Sequence, residues 1–225
     1  MGANECVDEH GAVDMASREQ DLVFAIAHEI GNHLGAIRLQ AHLLDEDLDP
    51  RSLAKASVEI DGLAGRAGPL LALIRPILLA EESSVESAGT TGPPWSARLA
   101  GIQQHFLDQG TQGVSFEIEI PSESDFTAPD ADWLHSLLIA ILDATLAIAE
   151  RTGTIRVGLE TIAEGSALFI EDDGPEEELS ADSALRGRAL PVALARRLLL
   201  LIGGRVETRR AQDTTRIELI FPTKP

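Results

Sequence analysis

The stretch that decides the fold is residues 22–48, LVFAIAHEIGNHLGAIRLQAHLLDEDL. Its apolar residues recur at alternating intervals of four and three, a heptad pattern typical of a long helix that packs along one face. They are Val23, Ala27, Ile30, Leu34, Ile37, Ala41, Leu44 and Leu48. Pro50 disfavours helical backbone at Asp49, so we expect the helix to end there.

A second periodic run follows, and its apolar residues lie alternately three and four apart. They are Ile60, Leu63, Ala67, Leu70, Ile74 and Ile77, with Leu71 and Leu78 widening the stripe. Two long helices joined by a short turn form an antiparallel hairpin. A lone hairpin this apolar leaves one face in water, whereas two copies close into a four-helix bundle. The pattern therefore predicts a homodimer.

Composition divides the chain into four segments. Residues 1–16 are polar and lack periodicity, which predicts a disordered tail, and residues 17–81 form the helical hairpin. Residues 82–94 are small, acidic and contain Gly and Pro, which is typical of a linker. Residues 95–225 alternate helices with short strands joined by tight turns, which predicts an α+β domain with helices on one face of a mixed sheet.

Within the second domain the periodicities predict three helices and five strands. The helices are expected over about 96–109, 131–150 and 190–202, and the strands over Val114–Ile120, Thr154–Thr161, Ser166–Ile170, Arg205–Thr208 and Thr215–Phe221.

Charge and cysteine content exclude several functions. The formal net charge is −19. Nucleic-acid binding depends on Lys and Arg displacing counterions, and anionic membranes repel a polyanion, so we expect neither partner. The single cysteine, Cys6, excludes an intrachain disulfide and fits a reducing compartment. No signal peptide or membrane-spanning run is recognisable, so we predict a cytoplasmic protein that docks protein partners.

The candidate reactive group is His28. It follows Ala27 of the heptad pattern, so it lies beside the packed face and reaches solvent. An imidazole attacks phosphorus only when neutral, and the ordinary histidine pKa of about 6.5 allows that at cytosolic pH. Glu29 can accept or orient the ring proton. Asn32 lies one turn on, on the same face, and can position a water molecule or a phosphoryl oxygen.

The segment from Phe24 to Leu34 resembles the H-box of sensor histidine kinases, roughly F-x-x-x-H-E-[IL]-x-N-P-L. The resemblance implies that His28 is the phospho-acceptor, Glu29 the base and Asn32 a helper in transfer or dephosphorylation. His33 replaces the usual proline, which commonly kinks a helix, so we expect a straighter helix here. No metal site is predicted, because the zinc motif H-E-x-x-H places its histidines four apart, whereas these are five apart. We interpret His42 as an ordinary surface histidine.

Residues 95–225 resemble the ATP-binding domain of the same kinases, the histidine kinase/Hsp90-type ATPase fold. The first nucleotide box, usually N-L-x-x-N-A, falls on 139–144, with Asp143 in place of the asparagine that holds Mg²⁺. The second box, usually D-x-G-x-G, falls on 172–176. The resemblance implies that Asp172 would meet the adenine amine, with Gly174 kept and Glu176 replacing the second glycine.

The third box, usually G-L-G-L, falls on 189–192, where the sequence is ALPV. Without those glycines, backbone N–H groups cannot close on phosphates, and Pro191 has no N–H to offer. The carboxylates at 176–178 would also repel a triphosphate. We therefore expect a vestigial ATP site at Asp143, Asp172 and Gly174. We expect no tightly bound cofactor and no use of ATP.

The combination resembles the dimeric histidine phosphotransferases that are built as degenerate sensor kinases. The resemblance implies a phosphorelay in two-component signalling. A receiver domain charged by an upstream histidine kinase docks on the hairpin, and His28 takes its phosphoryl group and passes it to a second response regulator. The Mg²⁺ for this reaction would come with the receiver domain. Two alternatives stay open: an ATP-dependent sensor histidine kinase using Asp143 and Asp172, and a non-catalytic pseudokinase that binds a response regulator.

Receiver contact is expected on the helix beyond His28, at Gly31, Gly35, Arg38 and Leu39. The two glycines leave bare helix surface where a partner can approach. Each costs helix stability on the order of 1 kcal/mol against alanine, and close docking would explain that cost.

Overall fold

The computed structural model describes residues 9–44, 49–78, 95–108, 114–119, 132–148, 153–174, 185 and 187–222. Within these ranges the chain forms five helices and five strands. In order they are α1 (Glu9–Leu44), α2 (Pro50–Leu78), α3 (Trp95–Asp108), β1 (Ser115–Glu119), α4 (Asp132–Ile148), β2 (Thr154–Ile162), β3 (Gly165–Asp172), α5 (Ala189–Leu201), β4 (Arg205–Ala211) and β5 (Thr214–Pro222).

Helices α1 and α2 form the predicted antiparallel hairpin. Gln40 of α1 donates a hydrogen bond to Glu59 of α2. The start of α2 is capped by Asp49, whose carboxylate accepts the Arg51 N–H at 2.9 Å and the Ser52 hydroxyl at 2.7 Å. These bonds, that of the Ser52 hydroxyl foremost, hold the pKa of Asp49 below its usual range. Pro50 is therefore the first residue of α2, a position where its missing N–H costs nothing.

The bounds of α1 differ from the prediction at both ends. The helix begins at Glu9 rather than near residue 17, because an established helix extends more easily than a new one nucleates and needs no apolar periodicity to do so. Residues 1–8 of the predicted tail lie outside the described residues. The helix ends at Leu44, and the last residue of the predicted heptad pattern, Leu48, also lies outside them.

The buried face of α1 differs from the predicted one. Leu22, Ile26 and Ile30 are buried, whereas Ala27 is exposed and Leu34 is 57% exposed. The heptad pattern predicts a face that closes only when two hairpins pack together, so the protomer leaves part of it exposed. Within the protomer, Leu22, Ile26 and Ile30 join the cluster that also contains residues of α4 and α5. On α2 the prediction holds better: Ala67, Leu70 and Ile77 are buried, together with Ala56 and Leu73.

The second domain begins with α3 at Trp95, and the predicted linker, 82–94, lies outside the described residues. Its strands form one sheet in the order β1-β2-β3-β5-β4. β1 runs parallel to β2 and the remaining neighbours are antiparallel. The predicted mixed sheet is confirmed, and the predicted helices and strands are found with shifted ends.

One face of the sheet carries the core. Strand residues such as Val157, Leu168 and Leu219 are buried in a single cluster with residues of α3, α4 and α5. The same cluster includes Ile26 of α1 and Leu73 of α2, because α2 packs on α4 and α1 on α5. The end of the hairpin that carries His28 is thus fixed to the second domain. None of the helices within the described ranges is both long and apolar enough to cross a bilayer.

The other face of the sheet is charged. Arg156 lies 3.3 Å from Glu117 and 3.2 Å from Glu171 on the neighbouring strands, and Arg216 lies 2.8 Å from Glu171. Phe169 is buried on this face because the Arg216 guanidinium covers it, 4.1 Å from the ring centroid. Gly158, its partner in the strand register, leaves the space that the ring occupies.

Candidate functional site

His28 points away from the core. It lies two residues from both Ile26, which is 0% exposed, and Ile30, which is 8% exposed. At about 100° per residue, a side chain two positions from both projects from the opposite side of the helix. The imidazole is accordingly exposed, while the helix that carries it is anchored from behind.

Glu29, the predicted base, is half-buried and faces His33. Its Oε1 lies 3.5 Å from Nε2 of His33, one turn along α1. Burial lowers the pKa of His33; Glu29 opposes this shift, and Arg66 of α2 adds to it. At 3.5 Å, His33 holds the carboxylate only weakly. α1 is helical through His33, which replaces the proline of the H-box.

A stripe of exposed residues runs along α1 from His28. Asn32 is exposed, as predicted for a residue one turn on. Gly31 and Gly35 are exposed, and a Cβ built on either would have no neighbour within 4 Å. The backbone of α1 is therefore bare beside His28.

The stripe ends in a shallow surface depression lined by Gly35, Arg38, Leu39, Ala41 and His42. Three of the four predicted contact residues lie in it, and Gly31 does not. Leu39 in this lining is 62% exposed, which leaves an apolar side chain available to a partner. His42, interpreted from the sequence as an ordinary surface histidine, belongs to the same lining. The sequence does contain a signal for this placement of His42. His42 lies fourteen residues, or two heptads, beyond His28 and therefore on a similar face of the helix.

Asp143, in the first nucleotide box, is half-buried on α4. Burial raises its pKa to about 6, and the positive charges of Arg66 on α2 and His105 on α3 oppose that rise. The carboxylate thus faces the hairpin helix α2 as well as its own domain.

Asp143→Asn is expected to stabilise the protein at pH 8 and to leave its stability nearly unchanged at pH 4. The folded-state pKa of Asp143 is raised to about 6, so the ionised carboxylate opposes folding above that pH. This cost disappears below the unfolded-state pKa of about 3.9, where both states bind the proton. Discounted for partial exposure, we expect a gain of about 1–2 kcal/mol at pH 8 in urea denaturation.

The control for this measurement is Asp61→Asn, which neutralises an exposed carboxylate on α2. It should change stability little at either pH. An equal gain from Asp143→Asn at both pH values would show that ionisation of Asp143 is not the cause.

Asp172 and Gly174, in the second box, lie at the end of β3 and are buried. The Gly174 N–H donates to Asp172 Oδ1 at 3.0 Å, and Arg188 Nη1 donates to Oδ2. Burial raises the pKa of Asp172, and the Arg188 guanidinium opposes this shift. Arg188 could not be predicted from the sequence, because nothing in its neighbours distinguishes it from a surface arginine.

The third box forms the first turn of α5, and all four of its residues are buried. The Val192 N–H is bonded to the Arg188 carbonyl at 3.2 Å. Pro191 occupies a first-turn position, where its missing N–H costs little. The first turn of α5 is buried, and Asp172 already accepts hydrogen bonds from Gly174 and Arg188. Neither feature fits an adenine nucleotide bound in the manner that the resemblance implies. The carboxylates at 176–178 lie outside the described residues.

The described residues also provide no group of three His, Cys, Asp or Glu side chains arranged to hold a metal ion.

No protein-family model matches the chain. No curated protein matches it either. Solved structures do match. The Acinetobacter baumannii histidine kinase AdeS has a TM-score of 0.61 and 15% identity, covering 88% of this chain and 98% of that one.

Two further structures extend the comparison. The cytoplasmic segment of the histidine kinase QseC has a TM-score of 0.53 and 14% identity, covering 80% of this chain and 99% of that one. A bacterial phosphotransferase has a TM-score of 0.51 and 17% identity, covering 92% and 96%. At such identities the similarity establishes the fold alone. The chain has the fold of a histidine kinase cytoplasmic segment, a helical hairpin followed by an ATPase-type α/β domain.

Proposed function

We propose that the protein is a histidine phosphotransferase of two-component signalling, which moves a phosphoryl group between receiver-domain aspartates through His28. The observation that carries the proposal is the exposed imidazole beside bare helix backbone. A receiver domain must bring its aspartyl phosphate to within bonding distance of the acceptor nitrogen, and side chains at positions 31 and 35 would stand in its way.

The reaction follows from the groups at the site. The unprotonated nitrogen of neutral His28 attacks phosphorus, an N–P bond forms, and the P–O bond to the receiver aspartate breaks. The aspartate leaves as a carboxylate, and the other ring nitrogen releases its proton to Glu29 or to water. Asn32 lies on the same exposed stripe and is placed to hydrogen-bond a phosphoryl oxygen. The second receiver then takes the group by the reverse steps.

ATP is not needed for this reaction, because an acyl phosphate already has sufficient transfer potential. The Mg²⁺ that offsets the phosphoryl charge arrives with the receiver domain. His33 takes no proton in the scheme.

The partner that completes the hairpin is a second copy of the chain. Several apolar side chains of α1 and α2 remain exposed in the protomer: Leu34 at 57%, Val58 at 68%, Leu71 at 53% and Leu78 at 59%. Exposed apolar surface of this extent on paired helices favours burial against other helices. A four-helix bundle of two hairpins supplies that burial.

Gly35→Ala is expected to stabilise the protein by about 0.5–1 kcal/mol and to slow transfer from a receiver about tenfold. The added methyl group meets nothing within 4 Å in the free chain, so its cost appears only when a partner occupies the depression. Stability is measured by thermal denaturation and transfer by the rate at which a labelled receiver loses its phosphate.

Gly101→Ala on α3 is the matched control. This glycine is also exposed with no neighbour within 4 Å, yet it lies on a different helix. It should bring the same stabilisation and leave the transfer rate unchanged. A normal transfer rate in Gly35→Ala would argue against docking at this depression.

An ATP-dependent histidine kinase remains the second candidate. Glu29 is kept beside His28, as in the kinase H-box, and the fold matches that of AdeS over 98% of the kinase chain. A pseudokinase that only binds a response regulator is the third. In the described part of the second domain, no side chain favours the kinase or the pseudokinase over phosphotransfer.

The test combines two phosphoryl donors. Purified protein is incubated with Mg²⁺ and γ-labelled ATP, and separately with receiver domains from the same organism that carry labelled aspartyl phosphate. Phosphotransfer predicts an acid-labile, base-stable label on the chain from a receiver and none from ATP. Label from ATP would identify a kinase. Label from neither donor, with receiver binding intact, would identify the binding protein.

A further inference from the structure

His33 is the residue at which this chain departs from the H-box, and its side chain is largely enclosed. The side chain is 13% exposed, against 36% for that of Glu29 one turn earlier. Nδ1 of the ring is buried and has no hydrogen-bond partner among the described residues. The other nitrogen, Nε2, lies 3.5 Å from Glu29 Oε1. The ring thus directs one nitrogen at the predicted base and leaves the other without a partner.

This arrangement links the charge of His33 to the position of Glu29. The neutral ring is satisfied best with its hydrogen on Nε2, where Glu29 can accept it, since Nδ1 meets no acceptor. A second proton must go to Nδ1, and a buried donor without a partner costs free energy. The carboxylate of Glu29 offsets that cost, because the weak contact becomes an ion pair once the ring is charged. Protonation of His33 and a firmer hold on Glu29 are therefore the same event.

The charged groups that act on this ring come from two helices. Burial lowers the pKa of His33, the carboxylate of Glu29 on α1 opposes this shift, and the positive charge of Arg66 on α2 adds to it. Coupling between two titrating groups is reciprocal, so a charged His33 in turn makes Glu29 a weaker base.

The direction in which Glu29 projects gives this coupling a consequence for His28. At about 100° per residue, Glu29 projects about 100° away from His28 around the helix and about 40° away from His33. Side chains four residues apart lie one above the other, so an ion pair with His33 holds the carboxylate on the side of the helix away from His28. Acceptance of a proton from His28 requires the carboxylate to turn toward that ring instead. The two positions exclude each other.

We propose that His33 is a positioning residue for Glu29: its neutral ring leaves the carboxylate free to accept the proton of His28, and its protonated ring withdraws the carboxylate and slows phosphotransfer. As the N–P bond forms at His28 and the bond from phosphorus to the donor breaks, the other ring nitrogen of His28 passes its proton to Glu29, which releases it to water. The inference rests on the phosphotransfer proposed above and adds to it a dependence on pH. A proline at position 33 would have no group that could act in this way.

The test compares the rate of His28 phosphorylation in wild type, His33→Gln and His33→Arg between about pH 5 and pH 8, the range in which histidine changes charge. Gln keeps a neutral side chain at every pH, whereas Arg keeps a positive one. Each change is repeated together with Glu29→Gln. The control is His135→Gln, which removes an exposed histidine on α4.

Two phosphoryl donors distinguish failure of this inference from failure of the proposed function. One is a labelled receiver domain at saturating concentration, so that docking does not limit the rate. The other is phosphoramidate, whose P–N bond breaks with release of ammonia and which needs no docking surface. Phosphorylation of His28 by phosphoramidate but not by a receiver would refute transfer between receivers and leave the comparison of variants valid. Phosphorylation by neither donor would refute both.

We expect His33→Gln to match wild type at pH 8 and to exceed it about twofold to fivefold at pH 5, as the free energy of one partly exposed ion pair allows. His33→Arg should be slower than wild type by a similar factor at pH 8. His28 is common to all variants, so its own titration cancels in these ratios. With Gln at position 29 the three rates should agree, because no carboxylate is left to withdraw. His135→Gln should follow wild type at every pH.

A second measurement follows the ring of His33 directly, by NMR titration, and needs no phosphoryl donor. Glu29→Gln should lower the pKa of His33, because it removes the charge that favours the protonated ring. Arg66→Gln, a change at an exposed residue of α2, should raise the pKa of His33, because it removes a charge that opposes protonation.

Three results would overturn the inference. Equal rates for wild type and His33→Gln at pH 5 would show that charge on His33 does not withdraw Glu29. A difference between them that persists with Gln at position 29 would show that His33 acts without Glu29. An unchanged pKa of His33 in Glu29→Gln would show that the pair does not form.

Discussion

Replacing His28 with Ala should reduce phosphate transfer from a labelled receiver to background, a loss on the order of 1,000-fold or more. The variant lacks the nitrogen that forms the N–P bond, and the other exposed histidine of the same stripe, His42, lies fourteen residues further along α1. Its stability should stay within about 0.5 kcal/mol of wild type, because the imidazole is exposed and packs against nothing in the core. Label retained on the chain after gel separation is the measurement.

His42→Ala is the control for this result. His42 is exposed on the same stripe and lines the docking depression, so its loss can slow docking but cannot remove the acceptor. Persistent label on His28→Ala, with label lost from His42→Ala, would move the acceptor to His42. Full binding of a receiver by His28→Ala without any label in wild type would favour the pseudokinase.

Gly158→Val should destabilise the protein by about 3 kcal/mol or more and lower its melting temperature by roughly 10 °C. A Cβ at this position in β2 would lie 2.8 Å from the Glu119 carbonyl oxygen of β1 and would overlap the Phe169 ring. The ring cannot withdraw easily, because Arg216 covers it from the other side. The β1 backbone cannot withdraw without breaking the parallel ladder between β1 and β2.

Gly101→Ala on α3 provides the comparison, since the added methyl group has no neighbour within 4 Å. It should stabilise the protein by about 0.5–1 kcal/mol. Adding Phe169→Leu to Gly158→Val should recover part of the loss, because it removes the ring but not the contact with β1. Equal melting temperatures for wild type and Gly158→Val would mean that β2 and β3 can separate at no cost.

The sequence predicted the second domain well, because each of its elements carries its own signal. The sequence of β2 places the apolar residues Ile155, Val157 and Leu159 at every second position, and α5 begins where a Pro sits in a first turn and ends at a Gly-Gly pair. Such patterns are local and do not depend on which other helix or strand the element packs against. The sheet and its mixed pairing follow from them.

The packing of α1 was predicted less well, because one periodic pattern serves two faces. Leu22 and Ile26 pack against the second domain, while Leu34 is left exposed. A heptad pattern does not say which apolar residue meets which neighbour. That choice depends on contacts between segments distant in the chain.

The candidate site likewise has one part that the sequence could predict and another that it could not. His28, Glu29 and Asn32 are adjacent in sequence, so their spacing on a helix could be predicted. Arg188 lies 16 residues from Asp172, and only the folding of α5 against β3 brings them together. The influence of Arg66 on Asp143 is likewise an effect between helices of different domains, which no local pattern contains.

The strand β4, at one border of the sheet, places four charged side chains in seven residues: Arg205, Glu207, Arg209 and Arg210. An open strand border with free N–H and C=O groups is a template on which another chain can add a strand and start an aggregate, and charged side chains discourage this. The opposite border, β1, has only five residues, among them Glu117 and Glu119. Both borders are thus guarded against strand addition, which agrees with the dimer that we propose through the hairpin helices rather than through the sheet.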